Sequence, residues 1–127
     1  MIPVYNDWQS LNLLLKNIDQ ELSRSSRLSH VLVINDGSNI STDLKIDNYK
    51  QISKLEILNL RENLGSQKSI AIGLKHLESS KEDYIITILD SDGEDDPQKI
   101  NEMLDQAEKN EDFIITSNRT NRKENPL

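Results

Sequence analysis

The 127-residue sequence contains no cysteine, three prolines and no long apolar run. The absence of cysteine excludes disulfide bonds, zinc sites built on thiolates and a cysteine nucleophile. No stretch approaches the roughly 20 consecutive apolar residues of a membrane-spanning helix, and the N-terminus lacks a basic segment followed by an apolar one. We therefore expect a cytoplasmic location, at the cytoplasmic face of a membrane if the chain is part of a longer protein.

The composition is that of a folded soluble domain. Hydrophobic residues make up 35% of the chain and charged residues 29%, and the length suffices for one domain with a modest core. The net charge of -7 argues against nonspecific binding to nucleic acid or to an anionic membrane surface. We expect no nucleic-acid partner.

Hydrophobic periodicity predicts alternating helices and strands. Apolar residues from Trp8 to Leu22 recur every three or four positions, which predicts a helix from about Asn6 to Ser25. The continuous apolar run at 30–34 predicts a strand that is buried on both faces. Further strands are predicted at 55–60, 83–89 and 113–116, and further helices at 66–77, after Pro97 and, weakly, within 41–53. This order predicts an α/β fold with a mostly parallel sheet of about five strands between helices.

Polar motifs follow the predicted strands. They are Tyr5-Asn6-Asp7, Asp36-Gly37-Ser38, Asn63-Leu64-Gly65, Asp90 to Asp96, and Ser117-Asn118-Arg119. In open α/β sheets, ligands bind beyond the carboxyl ends of the strands. We therefore expect these motifs to meet at one edge of the sheet and to form a ligand site there.

The fourth motif is unusually acidic, with five carboxylates between Asp90 and Asp96. Such a cluster repels itself unless a cation is bound. Carboxylate oxygens suit Mg²⁺ or Mn²⁺, and Mg²⁺ is usually held by one or two protein carboxylates together with substrate phosphates. Taken alone, the run could equally be a solvated turn between a strand and a helix.

Taken together, the motifs resemble the nucleotide-sugar domain of family 2 glycosyltransferases, which have the GT-A fold. More narrowly, the sequence from Leu89 to Pro97, followed by Ser117-Asn118-Arg119, is similar to the polyprenyl-phosphate sugar transferases of the dolichol-phosphate mannosyltransferase type. The resemblance runs from Ile2 to about Arg122. It implies one nucleotide-sugar-binding domain over residues 1–122 and a tail at 123–127.

The resemblance implies that several residues bind the nucleotide. Pro3, Tyr5 and Asp7 would cradle the base, Asp36 would contact the base or ribose, and Lys68 would reach the diphosphate. Each has a structural alternative. Pro3 and Tyr5 could simply end a strand, Asp36 could serve the turn before a glycine, and Lys68 could be a solvated helix residue.

The same resemblance assigns the metal site to the Asp-x-Asp motif. Asp90 would face the ribose or the metal, Ser91 would lie among the donor-binding residues, and Asp92 would bind a divalent cation that bridges the diphosphate. Glu94 stands where a further metal ligand is common in the polyprenyl-phosphate subgroup. Asp95 and the residue after it are interpreted as helix N-terminal residues that favour the helix dipole.

Arg119 matches an arginine that follows the fifth strand in this family. Its guanidinium could pair bidentately with a phosphate, and the alternative is a surface arginine in the tail. Asp92 and Arg119 are thus the expected catalytic residues. His30 and His76 show no partner pattern and are interpreted as ordinary surface or strand-edge residues.

The implied activity is the metal-dependent, inverting transfer of a sugar from a nucleoside-diphosphate sugar to a polyprenyl phosphate or a glycan, as in the synthesis of cell-envelope polysaccharides. The chain departs from the family pattern because the first strand should begin several residues before Pro3 and an acceptor-binding segment should follow the fifth strand. Asn35 also replaces an acidic residue that is common before the glycine. A nucleotide-sugar-binding remnant without turnover is therefore the alternative to an enzyme.

Three other classes are disfavoured. A receiver-like domain would have a lysine after the fifth strand, where Asn118-Arg119 stands. The acidic run lacks the ligand spacing of an EF-hand, and no phosphate-binding Gly-x-x-x-x-Gly-Lys-Ser/Thr loop occurs.

Overall fold

The computed structural model describes residues 1–117. The elements, in chain order, are β1 (Ile2–Val4), α1 (Trp8–Ser23), β2 (Ser29–Asn35), β3 (Ile52–Asn59), α2 (Ser66–Glu78) and α3 (Ile100–Lys109), with short 3₁₀ helices at Ile46–Asn48 and Pro97–Lys99. None of the helices in this part of the chain is long and apolar enough to span a membrane.

The strands form an open parallel sheet in the order β1-β2-β3. Val33 of the central strand pairs with Ile2 on one side and Ile57 on the other. Val33 and Ile34 are completely buried, as expected for a strand covered on both faces. The predicted parallel α/β fold is confirmed.

The predicted fourth and fifth strands are not formed. Residues 83–89 run beside the start of β1 but make a single bridge, in which the Met1 amino group donates to the Thr87 carbonyl at 2.7 Å and the Leu89 amide donates to the Met1 carbonyl at 3.2 Å. Among the described residues no further backbone hydrogen bond joins this segment to β1, so the bridge does not extend into a ladder. Residues 113–116 are also irregular. Among residues 1–117 the sheet therefore has three strands instead of about five.

Helix α1 begins two residues later than predicted, at Trp8. The Asp7 carboxylate accepts a hydrogen bond from the Ser10 amide at 3.1 Å and so caps the helix. One apolar face packs into the core; its buried residues are Trp8, Leu11, Leu14, Leu15, Ile18 and Leu22. The periodicity thus correctly identifies the buried face.

The weakly predicted helix within 41–53 is a single 3₁₀ turn. Asp19 on α1 then fixes the backbone at the start of β3. The Asp19 carboxylate accepts the amides of Lys50, Gln51 and Ile52 at 2.9, 2.6 and 3.2 Å. These hydrogen bonds supply partners for backbone groups that a longer helix would have satisfied internally.

The remaining helices pack closely against their neighbours. On α2, a Cβ atom added to Gly73 would lie 2.5 Å from the Ile34 Cδ1 atom, so the helix backbone approaches the sheet closely at this glycine. Helix α3 is tied to the end of α1 by the Arg27 guanidinium, which lies 2.6 Å from Asp105 and 3.2 Å from Glu108. Both helices therefore have fixed positions relative to the sheet.

Candidate functional site

The loops that follow β1 and β2 are joined through Asn6. The Asn6 amide donates to the Ser38 hydroxyl at 2.8 Å, and the Asn6 side-chain oxygen accepts from the Asn39 amide at 3.0 Å. Asn6 has a φ of 58°, in the left-handed region that asparagine tolerates better than most residues. These bonds confirm that the first two polar motifs converge.

The third motif joins the same edge through Asp36. The Asp36 side chain is 3% exposed. One carboxylate oxygen accepts from the Leu64 amide at 2.8 Å and the other accepts from the Gly65 amide at 2.9 Å. The structure therefore gives Asp36 the role of positioning the loop before α2, and its predicted contact with the base or ribose stays a prediction.

Asn35 and Gly37 shape the turn around Asp36. The Asn35 side chain accepts from the Ser38 amide at 3.0 Å and donates to Asn59 at 2.8 Å, across the carboxyl ends of β2 and β3. Gly37 has a φ of +71° and lies directly against the backbone of Glu62. Asn35 thus has a hydrogen-bonding function of its own in place of the expected acidic residue.

The residues predicted to bind the nucleotide differ in how accessible they are to a ligand. Pro3 is buried within β1, whereas the Tyr5 side chain is half exposed at the end of that strand. Asp7 caps α1, so one of its oxygens is already used. Lys68 is exposed on the first turn of α2. The nucleotide-binding roles of these four residues stay predictions.

Hydrogen bonds divide the acidic loop. Asp92 accepts from the Glu94 amide at 2.9 Å, and Asp95 accepts from the Asp90 amide at 2.8 Å. Asp96 accepts from the Gln98 amide at 3.0 Å at the start of the 3₁₀ helix, which confirms the helix-start interpretation for Asp96. Asp95 directly precedes this cap, and its contribution to the helix dipole stays a prediction.

The acidic loop points to the same edge as the other motifs. The bridge places Met1 beside Ile88, and its parallel direction sends the chain after Leu89 towards the carboxyl end of β1. The side chains of Asp90, Asp92 and Glu94 are exposed, and Ser91 is half-buried.

Residues 1–117 contain no group of three or more histidine or acidic side chains close enough to hold a metal ion together. The residues still fit Mg²⁺ or Mn²⁺, because exposed carboxylates are hard ligands and Mg²⁺ commonly takes one or two of them along with substrate phosphates and water. The assignments of Asp90, Asp92 and Glu94 to a metal stay predictions.

The fifth motif lies at the edge of the described part of the chain. Ser117 is exposed, and Asn118 and Arg119 lie outside the described residues. The phosphate-binding role of Arg119 therefore stays a prediction.

A profile of the family named "Glycosyl transferase family 2" matches residues 1–127. The chain belongs to glycosyltransferase family 2. This membership agrees with the parallel sheet and with the polar loops that follow its strands. It confirms the family that the sequence motifs indicated.

Individual relatives support a more specific similarity. The chain is 32% identical over 121 residues to the undecaprenyl-phosphate 4-deoxy-4-formamido-L-arabinose transferase of Aeromonas hydrophila, covering 94% of this chain and 36% of the relative. The enzyme of the same name from Klebsiella pneumoniae is 30% identical over 118 residues, 91% of this chain and 35% of the relative. An uncharacterised glycosyltransferase of Synechocystis is 26% identical over 122 residues, 94% of this chain and 37% of the relative. The family 2 chain described here thus spans about a third of the length of these proteins.

Proposed function

We propose that this family 2 domain binds the nucleoside-diphosphate portion of a sugar donor at the carboxyl edge of its sheet. The observation that carries the proposal is the hydrogen-bonded union of three strand-end loops through Asn6 and Asp36. These bonds fix the backbone beside Tyr5, whose exposed ring is a surface on which a base could stack. Ligand sites in open α/β sheets occupy this position.

The acidic loop would hold Mg²⁺ or Mn²⁺ through Asp92 and Asp90, with Glu94 as a further ligand. When bound, the cation supplies charge neutralisation for the departing nucleoside diphosphate. Lys68 and Arg119 would add positive charge near the phosphates. Asp36 would act at a distance, by keeping the loop before α2 in place.

The activity that we propose for the protein is the inverting transfer of the sugar to a polyprenyl phosphate at a membrane surface. The support comes from the relatives from Aeromonas and Klebsiella, whose names specify an undecaprenyl-phosphate sugar transferase. A lipid phosphate is already an anionic nucleophile, so the reaction places little demand on a general base. This agrees with the use of the carboxylates of the acidic loop for a metal.

Donor binding can be measured by isothermal titration of UDP- and GDP-sugars in the presence and absence of Mn²⁺. We expect Mn²⁺-dependent binding that Asp92→Asn weakens by at least about tenfold. Asp83→Asn is the matched control, because it removes the same charge from the opposite end of the 83–89 segment and should leave donor affinity unchanged. If no nucleotide sugar binds with Mn²⁺ present, the proposal is wrong.

A second candidate is nucleotide-sugar binding without transfer. It is tested separately from donor binding, because the chain aligns with 35–37% of the lengths of these relatives. The protein would be incubated with donor, Mn²⁺ and a polyprenyl phosphate. The lipid fraction would then be assayed for attached sugar. Donor binding without any lipid-linked sugar would favour this second candidate, whereas a lipid-linked product would exclude it.

A further inference from the structure

Strand β3 forms a lateral edge of the sheet. Within residues 1–117 it pairs with β2 on one side and with no strand on the other. Prolines and bulges are devices that protect such edges against further pairing. β3 contains no proline, and its one irregularity of register is at its start, where Ser53 is the extra residue. From Lys54 to Asn59 the edge is therefore regular backbone that another strand could join.

The backbone groups of alternate β3 residues face this open edge. The Leu60 amide donates to the Asn35 carbonyl at 2.9 Å, so the even-numbered residues at 54–60 direct their peptide groups towards β2. Successive residues of a strand direct these groups to opposite sides. The N–H and C=O groups of Leu55 and Ile57 therefore point away from β2, and no backbone group among the described residues bonds to them.

Two opposite charges flank Leu55 on one face of the sheet. The Lys54 ammonium group lies 3.1 Å from the Glu56 carboxylate, and the two side chains are 63% and 30% exposed. Leu55 itself points to the other face, where it packs against the hydrophobic core. The edge thus presents a positive and a negative side chain on either side of a residue whose backbone is available for pairing.

This arrangement is self-complementary for an antiparallel strand. If two copies meet with Leu55 opposite Leu55, the outward-facing backbone groups of the two residues bond to each other. Lys54 of each copy then lies opposite Glu56 of the other. Side chains that are directly opposed in this way have Cβ atoms about 4.5–5.5 Å apart, and opposite charges there stabilise the pair.

The neighbouring symmetric registers lack this match. A two-fold axis at Lys54 or at Glu56 would place that residue opposite its own copy, so that like charges face each other. An axis at Ile57 would place Glu56 opposite Leu58. The distribution of charge along β3 therefore selects the register that is centred on Leu55.

We propose that a second copy of this chain binds along the β3 edge, antiparallel and centred on Leu55. The contact is isologous, because the same strand contributes both sides. The sheet would continue through both copies, and the bulge at Ser53, opposite Ile57, would end the ladder on each side. The charged pairs lie at the surface, so association should weaken as the salt concentration rises.

This interface is separate from the proposed donor site. Pairing uses the lateral edge of β3, whereas Tyr5 and the acidic loop lie at the carboxyl end of the sheet, on the side of β1. The inference therefore does not depend on the proposed function, and either can fail without the other.

The first test exchanges the charges. Sedimentation velocity over a range of protein concentrations would compare the 127-residue chain with Lys54→Glu, Glu56→Lys and an equimolar mixture of these two variants. We expect each variant alone to dimerise at least about tenfold more weakly, because like charges then face each other at both pairs. In the mixture, one copy is acidic at positions 54 and 56 and the other is basic at both, so association should be restored.

Lys16→Glu is the matched control, since it makes the same change of charge at an exposed position on α1. It should leave the dimer unchanged. Glu56→Lys also removes a 2.7 Å contact with His76, so its folding would be checked by circular dichroism. If it does not fold, Lys54→Glu and the exchange measurement below decide the question.

The second test is amide hydrogen exchange, followed by NMR at low and high protein concentration. The amides of Leu55 and Ile57 should exchange more slowly as the concentration rises, while those of Glu56 and Leu58, which already bond to β2, should not change. A chain that stays monomeric at every concentration would overturn the proposal. So would a dimer that Lys54→Glu leaves intact, or one that does not protect Leu55.

Discussion

A Cβ atom placed on Gly37 would lie 2.4 Å from the carbonyl carbon of Glu62. The loops after β2 and β3 therefore touch backbone to backbone, with no room for a side chain between them. Gly37 also has a φ of +71°, which disfavours any residue with a Cβ atom. This contact and the Asp36 hydrogen bonds hold the same loop from two directions.

Replacing Gly37 by alanine should lower the free energy of unfolding by about 1–3 kcal/mol. The substitution combines backbone strain with a clash that only movement of the Glu62 backbone can relieve. Urea denaturation gives the measurement. Gly65→Ala is the matched control, because Gly65 has a φ of +88° but nothing within 4 Å of its Cβ position, so it carries the strain without the clash. An equal loss in both variants would show that the close contact adds nothing.

Asp36→Asn should destabilise the fold by about 1–3 kcal/mol and increase amide exchange at Leu64 and Gly65. The amide side chain retains one acceptor oxygen, so one of the two backbone donors loses its partner. The exposed Asp92→Asn variant should leave the free energy of unfolding within about 0.5 kcal/mol of the parent. If Asp36→Asn abolished donor binding with stability and loop exchange unchanged, Asp36 would act on the nucleotide directly.

Asp19→Ala should lower the free energy of unfolding by about 1–3 kcal/mol, because the amides of Lys50, Gln51 and Ile52 all lose their acceptor. Thermal and urea denaturation would measure the loss. Asn17→Ala, at an exposed position on the same helix, is the control and should change stability by less than about 0.5 kcal/mol. A similar result for both variants would mean that water replaces the carboxylate at no cost.

The Met1 amino group should make stability depend on pH. Burial lowers its pKa from 8.0 to about 6, so between these values the unfolded chain binds more protons than the folded one. The free energy of unfolding should therefore rise by on the order of 2 kcal/mol from pH 6 to pH 8, and the gain is lost as the pH falls through this range. N-terminal acetylation should remove this dependence. A slope that persists after acetylation would come from other groups, such as His30, whose pKa is also lowered by burial.

The sequence predicts best those elements whose signal is local. The spacing of Leu11, Leu15 and Ile18 identifies the buried face of α1, and the apolar run through Val33 identifies the central strand. The segment at 83–89 is similarly apolar, yet a strand forms there only if a neighbouring backbone pairs with it along its length. Sequence pattern alone therefore overestimates the number of strands.

The polar contacts of the fold carry no such local signal. Arg27 bonds to Asp105, and Asp36 bonds to Leu64, across large separations in sequence. The two histidines, interpreted as ordinary surface or strand-edge residues, both approach Glu56: His76 lies 2.7 Å from its carboxylate and His30 lies 3.4 Å from it. Hydrogen bonds from His76 and Lys54 lower the pKa of Glu56. Each of these pairings depends on the relative positions of elements that only the folded chain defines.

The hydrogen bonds of Asp36 have a consequence for the phosphates of the proposed donor. Gly65 lies at the amino end of α2, so the positive end of this helix dipole is already neutralised by a buried carboxylate. In a chain with a net charge of -7, the amino end of α2 is therefore not free to offset the charge of a diphosphate. The domain should therefore have a higher affinity for a diphosphate that carries a divalent cation than for the same diphosphate alone. Donor binding would then depend on the concentration of the free cation.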